Sequence, residues 1–162
     1  MAQPVSGVAD AQRIVIASDH AGFELKEQLE VALRDMGYAV EDYGPDSAES
    51  ADYADFAHPL AECVSRGDVA RGILLCGTGL GMSYTANRYP HVRAAVSWAP
   101  EIAELARRHN DANVLVLPAR FVDAGTALQI LKVWLDTPFE GGRHERRVVK
   151  IERPSHDDEG TR

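Results

Sequence analysis

Short apolar runs alternate along the chain with segments in which apolar residues recur every three or four positions. "RIVIASD" is a β-branched run, and "GFELKEQLEVALRDMG" then places Phe23, Leu25, Leu29, Val31, Leu33 and Met36 at helical spacing before Gly37 stops it. "YAVEDYG" predicts a short strand ending in turn residues, and Asp55 to Arg66 a helix with Phe56, Leu60 and Cys63 on one face. Pro59 inside that helix predicts a late start or a kink. "GILLC", "RAAVSW" and "NVLVLP" read as three more strands, and uninterrupted apolar runs of this kind fit strands covered on both faces. Helices are predicted over Leu80 to Arg88, over Pro100 to Arg108 with proline at an allowed early position, over Phe121 to Leu135, and over a basic Gly142 to Arg153. Five strands separated by helices require crossover connections, hence an α/β fold with a parallel sheet and helices on both faces.

No internal repeat or linker interrupts this alternation. The expected organisation is a lead over 1–12, one domain over 13–153 and a charged tail over 154–162. At 162 residues, 45% of them hydrophobic, the chain is the size of one domain with a full core. Its net charge of −8 argues against a broad nucleic-acid face. No apolar run approaches the roughly 20 residues that span a bilayer, and the N-terminus lacks the layout of a signal peptide. A cytoplasmic protein without membrane or nucleic-acid partners is expected, with Cys63 and Cys76 as free thiols.

In parallel sheets of this kind, sites form at the carboxyl ends of the strands. There the sequence places Ser18, Asp19 and His20, then Cys76 with a glycine loop, then Ser97 and Trp98, then Pro118 to Arg120. The loop "CGTGLGMS" is no dinucleotide fingerprint, whose third glycine would fall on Met82, and no P-loop, since no lysine stands between Lys26 and Lys132. What remains is a strand-to-helix turn. It either presents bare N–H groups to an anion, phosphate or oxyanion, or needs glycine only for its dihedral angles. Cys76, at the entrance to that helix, is placed either as an available thiolate or as an ordinary buried thiol. Cys63, on an apolar helix face, belongs to the core.

Of six histidines, His20, His109 and His144 lie in segments with other reactive residues, whereas His58, His91 and His156 do not. No H-x-x-x-H or C-x-x-C occurs, so no metal site is expected. "GGRHERRVVK" gathers Arg143, Arg146, Arg147 and Lys150 in an otherwise acidic protein. Arg143 and Arg147 share a helix face, as a grip on one phosphate requires, or as any solvated basic helix displays.

"IASDHAGFELK", "DYADFAHPLAECV", "GILLCGTGLGMSYTANR", "RRHNDANVLVLPAR" and "FEGGRHERRV" together resemble the type B ribose-5-phosphate isomerases of the ribose/galactose isomerase superfamily, in order from about Arg13 to Lys150. The resemblance implies a single-domain, Rossmann-like three-layer sandwich whose C-terminal helix reaches a neighbouring subunit. It implies a homodimer, or a dimer of dimers, with shared active sites. The implied reaction interconverts ribose 5-phosphate and ribulose 5-phosphate through a cis-enediolate, with neither metal nor organic cofactor. With leucine at 75 and cysteine at 76, the resemblance makes Cys76 the base and Thr78 its assistant, while the N–H groups of Gly77 to Gly81, with Gly79 between them, hold the enediolate. Asp19 and His109 match the residues that open the sugar ring, with His144 a competing candidate. Asn110 matches a ligand of a substrate hydroxyl, and His20, Arg120, Arg143 and Arg147 match the phosphate grip. Tyr53 lies near the sugar, although "DYADF" has alanine where many members have proline. Galactose-6-phosphate and allose-6-phosphate isomerases use related pockets. A cysteine hydrolase using Cys76, His109 and Asp111, or a non-catalytic sugar-phosphate sensor, would draw on the same residues.

Overall fold

The computed structural model describes residues 12–152, so all but Gln12 of the expected lead, and the whole tail, lie outside the described residues. The elements are β1 (Arg13–Ser18), α1 (Phe23–Asp35), β2 (Ala39–Asp42), α2 (Tyr53–Ser65), β3 (Arg71–Cys76), α3 (Leu80–Ala86), β4 (Ala94–Val96), α4 (Pro100–Asn110), β5 (Val114–Pro118), α5 (Ala124–Asp136) and α6 (Arg143–Val149). The strands form one sheet in the order β2-β1-β3-β5-β4, with every neighbouring pair parallel. None of the described helices is long and apolar enough to cross a membrane.

Strand alternation divides the core into two layers. Ile14, Ile16, Ile73, Leu75, Leu115 and Leu117 face α1, α4 and α5, while Val15, Ala17, Leu74, Cys76, Val114 and Val116 face α2 and α3. Connections toward the β2 edge use the α1/α4 face, and those toward the β4 edge use the α2/α3 face. That is the pattern a single crossover hand produces.

The predicted elements are all present, with shifted ends. α5 starts at Ala124 because Asp123 takes the N-cap, its carboxylate accepting the Thr126 N–H at 2.7 Å. Pro59 stands inside α2, at the cost of one i→i−4 bond. α6 stops at Val149, short of the expected Arg153.

α1 departs most from its apolar pattern. Val31 is 58% exposed, whereas Lys26 and Glu30 are buried. Lys26 Nζ donates to Asp42, and to Glu27 and Glu30 at 3.3 and 3.5 Å. Burial alone would lower the lysine's pKa, but these carboxylates outweigh it and hold the pKa above its ordinary value. Asp42 also accepts the Gly44 N–H at 2.8 Å, and the Gly44 carbonyl accepts the Ser18 N–H at 2.9 Å. The buried ion network thus ties α1 and β2 to the end of β1.

Candidate active site

β3 is flanked by β1 and β5, and its chain leaves toward α3 on one face while theirs leave toward α1 and α5 on the other. Such divergence opens a crevice at the carboxyl ends of the strands. Cys76, the last residue of β3, sits there, 3% exposed. Its Sγ accepts the Gly79 N–H at 3.1 Å, a contact that strengthens when the sulfur is charged. Gly79 takes the left-handed φ of +77° that turns the strand into α3. Among the described residues, the N–H groups of Gly77, Thr78 and Gly81 have no protein acceptor. The loop therefore offers the free donors that an oxyanion cradle needs. The exposed Thr78 hydroxyl accepts the Leu80 N–H at 3.2 Å.

Four other expected residues gather around this loop. Asp19 is buried, and its carboxylate accepts the Gly22 N–H at 3.1 Å while its own N–H donates to the Leu75 carbonyl at 3.0 Å. His20 Nδ1 lies within hydrogen-bond distance of both the Ala51 N–H (3.2 Å) and the Ala51 carbonyl (3.3 Å), which leaves Nε2 without a partner among the described residues. The Tyr53 ring lies flat against Gly81, where a Cβ would fall 2.6 Å from the ring. Arg120 is exposed, and its N–H donates to the Gly77 carbonyl at 3.0 Å. Leu75, although adjacent in sequence, points to the opposite face of the sheet, so no side chain at position 75 could stand in for Cys76. Beside the loop, Thr78, Leu80, Val96, Trp98, Pro118 and Phe121 line an apolar groove of about 490 Å³, with Trp98 58% and Phe121 72% exposed.

The remaining expected residues form a second cluster elsewhere. α4 runs against the strands, so His109 and Asn110 at its end lie at the amino edge of the sheet. There Arg93, just before β4, donates to the Asn110 carbonyl at 3.1 Å. The His144 ring from α6 stacks on His109, with centroids 4.3 Å apart and planes 11° apart. Burial, then the neighbouring His109 and Arg143, push the His144 pKa below its ordinary value. Arg143 and Arg147 are exposed and, among the described residues, form no ion pair. β5 alone, five residues long, sets this cluster about 16 Å from Cys76 along the strand direction. One chain therefore carries two half-constellations at opposite edges of its sheet. Cys76, His109 and Asp111 do not meet within it.

Three contributors escaped the sequence reading. Gly22 lets α1 start against β3, since a Cβ there would stand 2.7 Å from that of Leu75. Its sign was a glycine inside "DHAGF", three residues after the aspartate that follows the first strand. Glu140 and Arg108 anchor the second cluster. The Glu140 N–H donates to the Arg108 carbonyl at 3.0 Å, and its carboxylate accepts from Arg108 Nη2 at 3.0 Å and Nε at 3.2 Å. The arginine holds the Glu140 pKa below its ordinary value. Nothing in the spacing of Arg108 and Glu140 along the chain announced the pair.

A family model described as ribose/galactose isomerase matches residues 14–151. Ribose-5-phosphate isomerase B of Escherichia coli (strain K12) is 42% identical over 140 residues, covering 86% of this chain and 94% of its own length. Among solved structures, a ribose 5-phosphate isomerase from Thermotoga maritima is 53% identical with a TM-score of 0.84, covering 86% of this chain and 97% of that one. The ribose-5-phosphate isomerase B of Mycoplasma genitalium, solved with bound ribulose-5-phosphate, is 41% identical with a TM-score of 0.84, covering 92% and 97%. Fold, motifs and matched length agree: the chain belongs to the ribose/galactose isomerase family and is a sugar phosphate isomerase.

Proposed function

We propose that the chain interconverts ribose 5-phosphate and ribulose 5-phosphate, with Cys76 as the base. The observation that carries this reading is the Cys76 sulfur beside a loop in which the N–H groups of Gly77, Thr78 and Gly81 are free. A base there removes the C2 proton of the open-chain aldose and returns it to C1 of the enediolate. The negative charge that collects on the sugar oxygens meets the N–H groups of Gly77, Thr78 and Gly81. The Thr78 hydroxyl assists proton exchange, and Tyr53 packs near the sugar.

The ring must open first, with one group protonating the ring oxygen and another accepting the anomeric hydroxyl proton. Asp19 and His109 take these roles, with His144 as the alternative to His109. Asn110 binds a sugar hydroxyl. His20, through Nε2, acts with Arg120, Arg143 and Arg147 on the phosphate, and binding energy from that remote group positions the reacting carbons. Since Cys76 and His109 lie at opposite edges of one chain, a complete site joins the loop cluster of one subunit to the His109–Arg147 cluster of another. A homodimer then holds two such sites, each placing the arginine helix of one copy over the crevice of its partner.

The relative bound to ribulose-5-phosphate favours the five-carbon substrate over galactose or allose 6-phosphate. Purified protein freed of metal by chelation is expected to convert ribose 5-phosphate with a kcat/KM at least ~10-fold above that for allose 6-phosphate or galactose 6-phosphate, a margin of about 1.4 kcal/mol in transition-state binding. Equal or inverted rates in a coupled assay would overturn the substrate assignment.

A further inference from the structure

The second cluster has a chemical capacity that isomerisation does not use. His109 comes from the end of α4, Glu140 from the segment before α6 and His144 from α6, and their ligand atoms all lie within 4.8 Å of one another. His144 Nε2 stands 3.8 Å from Glu140 Oε1. We propose that His109, Glu140 and His144 form a binding site for one divalent transition-metal ion of the zinc class, and that the bound ion inhibits the enzyme by occupying both imidazoles.

Two imidazoles and a carboxylate are the donor set of open zinc sites, with metal–ligand distances near 2.0–2.2 Å and a further position left for water. Closing from 3.8 Å to the roughly 3.3 Å between ligands of a tetrahedral ion requires a movement of about half an ångström at that edge. The stacked rings must also splay, because parallel planes do not aim their lone pairs at one point. Gly141 and Gly142, at φ +68° and +56°, give the chain between Glu140 and α6 the conformational latitude for this. Arg108 binds Glu140 Oε2 and leaves Oε1 toward His144, the outer-sphere arrangement that orients a ligating carboxylate. Arg143 Nε, 3.5 Å from His144 Nε2, weakens the site, as does Arg147 on the same helix. Micromolar rather than nanomolar affinity follows. The other group of candidate ligands among the described residues, the three carboxylates of Glu27, Glu30 and Asp42, is already filled by the Lys26 ammonium.

Cobalt(II) is the probe, since its visible bands report coordination independently of turnover. Titration of chelator-treated protein with cobalt chloride is expected to give intense four- or five-coordinate bands that saturate at one ion per chain. No sulfur-to-cobalt charge-transfer band should appear, and Cys76→Ala should leave the spectrum unchanged. Glu140→Gln, which preserves side-chain shape, and His144→Ala should each weaken binding at least ~10-fold. Zinc should displace the cobalt and inhibit turnover reversibly. A spectrum of solvated cobalt only, bands that vanish in Cys76→Ala, or bands indifferent to both Glu140→Gln and His144→Ala would each overturn the site. Inhibition rests on the isomerase reading, whereas the spectrum does not. Cobalt bands without isomerase activity would sink that reading alone, and activity without bands would sink the metal site alone.

Discussion

Cys76→Ala is expected to lower kcat by roughly 10²–10⁴-fold, the range general-base catalysis supplies, while leaving the affinity for a non-reacting sugar phosphate within a few-fold. The expectation rests on where the sulfur sits. It ends β3 in the crevice between diverging connections, 3% exposed, and accepts one N–H from the loop that would hold the enediolate. Alanine removes the sulfur while keeping the Cβ and the strand. The phosphate grip assigned to His20, Arg120, Arg143 and Arg147 does not involve the sulfur, so binding should survive. Cys76→Ser keeps the shape and replaces the thiol with a far weaker acid, so it should be nearly as inactive. Turnover close to the wild type in either variant would remove Cys76 as the base. A large rise in the Kd of the phosphate ligand would instead mean that the cysteine is structural.

The second expectation concerns mixtures. If each site takes Cys76 from one chain and His109 from its partner, Cys76→Ala and His109→Ala are each inactive alone yet restore one another. Random re-pairing of equal amounts yields half mixed dimers, and each of these contains one site with both native groups and one with neither. About a quarter of wild-type activity should return, a value fixed by two-fold symmetry. The variants must be mixed under conditions that allow exchange, and recovery should follow the time course of exchange. No recovery between exchanged, folded dimers would mean that both groups act within one chain. The 16 Å or so along β5 makes that arrangement hard to build without moving α4.

The fold was legible because both of its periods are strong. Apolar runs such as "NVLVLP" allow only a doubly covered strand, and their alternation with helices leaves little choice but a parallel sheet. The loop half of the candidate site was legible for the same reason: residues at strand ends converge whatever the strand order. The other half was not. His109 follows "ARR" and precedes β5, so its place at the amino edge of the sheet depends on α4 running against the strands. Its neighbour His144 is 35 positions further on in the sequence. Lys26 stands i−3 to Leu29 and i−7 to Leu33, within the buried stripe of α1, and what the sequence does not announce is that Asp42, Glu27 and Glu30 meet its charge there. At Val31 the apolar residue is left outside because the buried stripe runs through Leu25, Leu29 and Leu33.

The burial of Cys76 bears on the fate of a single hydrogen atom. A proton lifted by a cysteine only 3% exposed has little water to trade with before it returns to the sugar. Sugar labelled with deuterium at C2 should therefore carry part of that label to C1 of the product, on one face of the molecule. The fraction retained measures how fast the sulfur exchanges with solvent relative to reprotonation of the enediolate. Complete washout of the label would mean that water reaches the crevice freely during turnover. Measurable transfer would make the closed end of one β-strand visible in a mass spectrum.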